Sequence, residues 1–109
     1  MENKECKLQE MLAGNTLAVA NRYGPSLIHF DRKGQFRQVG QQGQSSEGLW
    51  RTSGDRLFIT VTILPEGVEP KEYSLDMNGR ILGSSWTEVD PSNGLISYKL
   101  LKGHPNFKA

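Results

Sequence analysis

The chain has 109 residues, and its 13 Lys and Arg stand against 12 Asp and Glu, a formal net charge of +1 at pH 7. A single domain of this size buries a core without metal or disulfide staples. The near-neutral balance excludes capture of nucleic acid or an anionic membrane by charge alone, the lone Cys6 excludes an internal disulfide, and no run is apolar enough for a membrane-spanning helix.

The charged N-terminus MENKECKLQEML has no apolar signal-peptide core. With no disulfide, a reducing cytoplasmic setting is expected, and an exported form whose signal has been removed is the alternative. Residues 4–12 carry the one helical period, because Leu8, Met11 and Leu12 fall at i, i+3 and i+4. Asn3 is placed to cap that helix, and Gly14 to end it with a positive φ. Cys6 lies off the apolar stripe.

From Asn15 onward, strand-forming runs alternate with turn clusters. TLAVANRY (16–23) is closed by Gly24-Pro25, and SLIHF (26–30) by Asp31 to Gly34. QFRQV (35–39) enters the loop GQQGQSSEG (40–48), and GLWRT (48–52) is closed by Ser53-Gly54-Asp55. RLFITVTIL (56–64) ends at Pro65-Glu66-Gly67 and Pro70. KEYSLDM (71–77) is closed by Asn78-Gly79, a strong hairpin signal. RILGSSWTEV (80–89) and LISYKLLK (95–102) complete the set.

Parallel strands need long crossovers, and none is available here. The reading is therefore an all-β, antiparallel eight-stranded meander that closes into a barrel, with one short N-terminal helix, in a single domain 1–109. A sandwich of two four-stranded sheets is the alternative. Alternation places Leu17 and Val19, Leu57, Ile59, Val61 and Ile63, and Tyr73, Leu75 and Met77 inward. Leu82 and Trp86 share a face, as do Ile96, Tyr98 and Leu100. In SLIHF, Ile28 and Phe30 oppose Leu27, His29 and Asp31, with no clear choice of side.

Trp50 has two readings. It is a core plug whose indole N–H bonds a backbone carbonyl, or the wall of a ligand pocket.

Four short pieces carry a resemblance: Leu12-Ala13-Gly14-Asn15-Thr16-Leu17, then Gly48 and Trp50, then Gly54-Asp55-Arg56-Leu57, then Gly103-His104-Pro105-Asn106. With the N-terminal helix, this pattern resembles small bacterial lipocalin-like (calycin-like) β-barrel proteins with a GNTL…GxW…gd-L arrangement. The resemblance implies a barrel, a ligand-binding habit and export. The sequence departs from it in lacking a cysteine pair around Phe58 and Tyr73, and from true lipocalins in carrying Gly-x-Trp on the fourth strand rather than the first.

Chemistry leaves few traces. His29 and Asp31 share a strand face near Ser26, but nothing marks a nucleophile elbow. His104 falls in the tail, and a zinc site built on the two histidines has no ligand spacing behind it. The acid pairs Glu66 and Glu69, and Glu72 and Asp76, read as solubilising. Arg22, Arg32, Lys33 and Arg37 near Phe30 and Phe36 read as a solvated rim rather than a nucleic-acid face. No cofactor, metal, nucleic acid or membrane span is expected.

The expected function is non-catalytic: a barrel that binds a small apolar or amphipathic molecule at its open end, with Trp50, Trp86, Tyr73, Tyr98, Phe58 and His29 as candidate contacts. The alternative is an interaction or inhibitor-type barrel. It would act through the 40–48 loop or an outer face, as a homodimer if Leu95 and Leu101 are exposed together.

Overall fold

The computed structural model describes residues 4–22, 24–41, 43, 45–63, 72–91 and 94–105, without the side chains of residues 4–6 and 63. The Asn3 cap and the Glu66–Glu69 pair lie outside the described residues, as do the side chains of Cys6 and Ile63. Helix α1 (Lys4–Leu12) precedes strands β1 (Thr16–Asn21), β2 (Gly24–Phe30), β3 (Gln35–Gly40), β4 (Ser45–Ser53), β5 (Arg56–Ile63), β6 (Glu72–Asp76), β7 (Ser85–Asp90) and β8 (Gly94–Leu101). Gly14 follows the helix at φ 81°, where a side chain would be strained.

All eight strands form one antiparallel sheet in the order β6-β5-β4-β3-β2-β1-β8-β7. The meander curls into a half-barrel. Full closure would pair β6 with β7, and these two strands instead stand at the ends of the strand order. The link between them, residues 77–84, crosses the end of the half-barrel where α1 enters. Met77 N–H donates to Asp55 O at 2.7 Å on one side, and Gly83 N–H to Leu100 O at 2.8 Å on the other.

The concave face holds the core. Leu8 and Leu12 of α1 meet Leu17, Ile28, Phe30, Phe36, Trp50, Leu57, Ile59, Val61, Met77, Trp86, Ile96, Tyr98 and Leu100. Alternation therefore places Leu57, Ile59 and Val61 of β5 and Ile96, Tyr98 and Leu100 of β8 in the core, as expected. In β2 both sides are covered: Ile28 and Phe30 enter the core, while Leu27 is buried on the outer face between its cross-strand neighbours Ala18 and Val39.

Three inward or loop assignments change. Tyr73 is opposite Ile59 but 54% exposed, because β6 is an edge strand, the last in the strand order. Leu82 is 39% exposed, because residues 80–84 turn rather than extend: Ser84 N–H returns to Ile81 O, and Gly83 takes φ 90°. The loop expected over residues 40–48 is shorter, because Ser45, Ser46 and Glu47 pair with Val39, Gln38 and Arg37 and lengthen β4.

A register shift follows Glu47, which lies opposite Ile63, while Gly48 lies opposite Val61. A Cβ at Gly48 would fall on the Thr60 carbonyl and lie 2.7 Å from the Phe36 ring. Only glycine lets the strands and that ring approach so closely.

Candidate functional site

The outer face of β1 to β4 carries a polar ladder. Thr16, His29, Arg37 and Glu47 are successive cross-strand partners, so strand pairing alone lines them up. Beside them lies an open surface cavity of about 430 Å³, lined by His29, His104, Asp31, Arg37, Glu47 and Leu49 among others. Leu49 supplies an exposed apolar patch.

The C-terminal tail completes this site. Gly103 N–H donates to Asn15 Oδ1 at 2.8 Å, and the Thr16 hydroxyl donates to Gly103 O at 2.7 Å. His104 Nε2 stands 2.9 Å from Phe30 O, and the His104 ring lies 4.9 Å from that of His29 at a tilt of 45°.

These contacts fix both tautomers. The single Thr16 hydroxyl proton goes to Gly103 O, so Thr16 accepts from His29 Nδ1–H at 2.8 Å. A carbonyl only accepts, so His104 Nε2 carries the proton that meets Phe30 O. His29 Nε2 and His104 Nδ1 are left as acceptors. Burial, then His104, then Arg37 hold His29 below the usual imidazole range.

Asp31 does not orient His29. Its Oδ1 accepts from Lys33 N–H and Gln35 N–H, each at 2.8 Å, and so caps the β2–β3 turn. Ser26 is on the concave side, where its Oγ accepts from Gln38 Nε2 at 3.0 Å.

The six residues singled out in the sequence do not converge. Trp50 is buried against Phe30, edge to face at 5.1 Å, and no partner for its N–H is found among the described residues. Trp86 stacks on Tyr98 at 5.4 Å with the Arg80 guanidinium 4.4 Å over its ring. Burial, then Glu88 and Asp90, push the Tyr98 phenol above its ordinary value. Phe58 lies on the outer face under Arg51, 4.2 Å away, and Tyr73 stands at the exposed rim of β6. His29 alone lines the outer cavity.

The open end of the concave face holds a second cleft of about 330 Å³. Its side chains include Asn21, Ser26, Gln38 and Ser46, which are polar rather than apolar. Among the described residues no group of three His, Cys, Asp or Glu is arranged to hold a metal ion, and no helix is long and apolar enough to cross a membrane.

Thr16, Arg37 and Leu49 were not expected at a site, whereas Glu47 belongs to the 40–48 segment named for the interaction alternative. The signal for Thr16 and His104 was present in the fragments GNTL and GHP, which the fold joins across 87 residues of sequence. No protein family, curated protein or solved structure matches the chain.

Proposed function

We propose that the protein is a non-catalytic binding protein that engages its partner on the outer face, in the cavity between His29, His104, Arg37, Glu47 and Leu49. One observation carries this reading. The interior is occupied by Trp50, Phe30 and the buried leucines of α1, while the cavity of about 430 Å³ on the outside gathers acceptors, a cation, carboxylates and an apolar patch. Such a mixture of convergent polar groups beside apolar surface is how binding sites are built. A cavity of this size fits one or two side chains of a partner protein.

A second reading keeps the binding site at the open end. The Asn21, Ser26, Gln38 and Ser46 lining favours a small neutral polar molecule there over an apolar one. For a homodimer, Val89 and Leu95 offer the apolar footing. They are cross-strand neighbours, 78% and 60% exposed, whereas Leu101 is half-buried.

Fragment titration followed by amide NMR separates the two binding readings. Shifts gathered on His29, Arg37, Glu47 and Leu49 support the outer cavity. Shifts confined to Asn21, Ser26, Gln38 and Ser46 overturn it in favour of the open end.

A further inference from the structure

We propose that His29 Nε2 and His104 Nδ1 form a two-imidazole site for a divalent transition-metal ion, copper(II) above all, at the head of the outer cavity. The inference takes its location from the outer-face reading and names the chemistry of one part of it.

The first support is the state of the rings. A histidine that binds a metal usually donates its other N–H to a carbonyl, hydroxyl or carboxylate, which fixes the tautomer and aims the free nitrogen. Both histidines are held in this way. His29 Nδ1–H is anchored on Thr16 and His104 Nε2–H on Phe30 O, at 2.8 and 2.9 Å. In the neutral rings the two nitrogens left over are acceptors, the form a metal requires.

The second support is spacing. Two imidazoles that share an ion at ~2.0–2.1 Å, with a near-tetrahedral angle between them, have ring centres about 5 Å apart. The observed separation is 4.9 Å. A simple aromatic contact explains the distance equally well but not the two separate anchors, Thr16 and Phe30 O, that take up one nitrogen of each ring.

The donor set decides which ion. Two imidazoles suit copper, nickel and zinc, and copper(II) heads the affinity order, whereas calcium and magnesium demand oxygen ligands. Water completes the shell, because no third His, Cys, Asp or Glu joins the pair among the described residues. Arg37 brings a like charge near the site, while Asp31 and Glu47 on the same cavity offset it. Sequence spacing gave no warning of this pair, because the two histidines are 75 positions apart (104 against 29) and meet only when the tail folds back over β2.

The test uses the full chain carrying Cys6→Ser, which removes the thiol as a competing ligand. Copper(II) is titrated calorimetrically, and the bound ion is read by electron paramagnetic resonance. One ion per chain with two nitrogen ligands is expected. His104→Ala and His29→Ala each weaken binding sharply, and Thr16→Val weakens it by about tenfold through loss of the outer-shell anchor. His104→Ala is the deciding variant, because it changes an exposed tail residue and leaves the core intact.

Binding that survives His104→Ala unchanged, or a spectrum without two nitrogen ligands, overturns the site. If copper(II) leaves the His29 and His104 signals unbroadened while fragments still shift Leu49 and Arg37, the metal inference fails and the outer-face reading stands. If neither probe touches this face, both fail.

Discussion

Thr16 Oγ1 stands 2.8 Å from His29 Nδ1 and 2.7 Å from the Gly103 carbonyl, and Thr16 is wholly buried. One hydroxyl thus ties β1 to β2 and to the C-terminal tail. Asn15 reinforces the clasp from the next position, with Nδ2 on Met11 O at 2.6 Å and Oδ1 on Gly103 N–H at 2.8 Å. The helix end, the first hairpin and the tail are therefore one hydrogen-bonded unit, and the outer cavity depends on it.

Thr16→Val keeps the shape and removes the hydroxyl. It leaves His29 Nδ1–H and Gly103 O without their partner in a partly buried site. The expected loss is about 1–3 kcal/mol, measured by urea unfolding. Thr16→Ser keeps the hydroxyl and recovers most of it. A Val variant as stable as the parent would show that water serves the two groups equally well.

Acid should loosen the same unit. The folded chain favours neutral His29, so its pKa lies below the unfolded value of about 6.5. Between the two values the unfolded chain binds more protons, and stability rises with pH there. This contribution is fully present above about pH 6.5 and is lost as pH falls through the folded value. Urea midpoints compared at neutral and mildly acid pH test it. The difference should shrink in Arg37→Ala, which removes one of the charges that depress His29. An unchanged difference would place the acid sensitivity on other groups.

Much of the architecture was legible because it is written in local signals. The i, i+3, i+4 spacing of Leu8, Met11 and Leu12 and the glycine at 14 delimit a helix that ends at Leu12. Period-two alternation in RLFITVTI puts Leu57, Ile59 and Val61 in the core. What alternation does not report is position within the sheet. Tyr73 obeys the pattern and is exposed because its strand is last in the order. The candidate site was less legible still. His29 was marked, but Thr16, Arg37 and Glu47 become its neighbours only through strand register, and His104 only through the returning tail.

Gly48→Ala tests the tightest approach in the sheet. The new methyl meets the Thr60 carbonyl, which belongs to the neighbouring backbone and has little freedom to give way, and the Phe36 ring at 2.7 Å. Overpacking of this kind costs about 1–3 kcal/mol. The expected signature is a lower urea midpoint with chemical-shift changes at Phe36 and Thr60. The contrast is Gly79→Ala, where nothing lies within 4 Å of the new atom and the penalty comes from φ 77° alone. Gly48 has no positive φ, so a loss there no larger than at Gly79 would mean that the Thr60 carbonyl and the Phe36 ring give way at little cost.

Trp50 separates packing from recognition. It is buried with Phe30 across its edge, in the cluster that also holds Leu8 and Leu12. Trp50→Ala should lower stability by about 3–5 kcal/mol, through lost transfer energy and the cavity left behind. Trp50→Phe should cost much less, because it keeps an aromatic ring in the cluster and the indole N–H it deletes has no partner among the described residues. Thermal and urea unfolding of the two variants measure both numbers. A stable Trp50→Ala protein that has lost a bound guest would return Trp50 to the wall of a pocket, and the outer-face reading would yield to one inside the half-barrel.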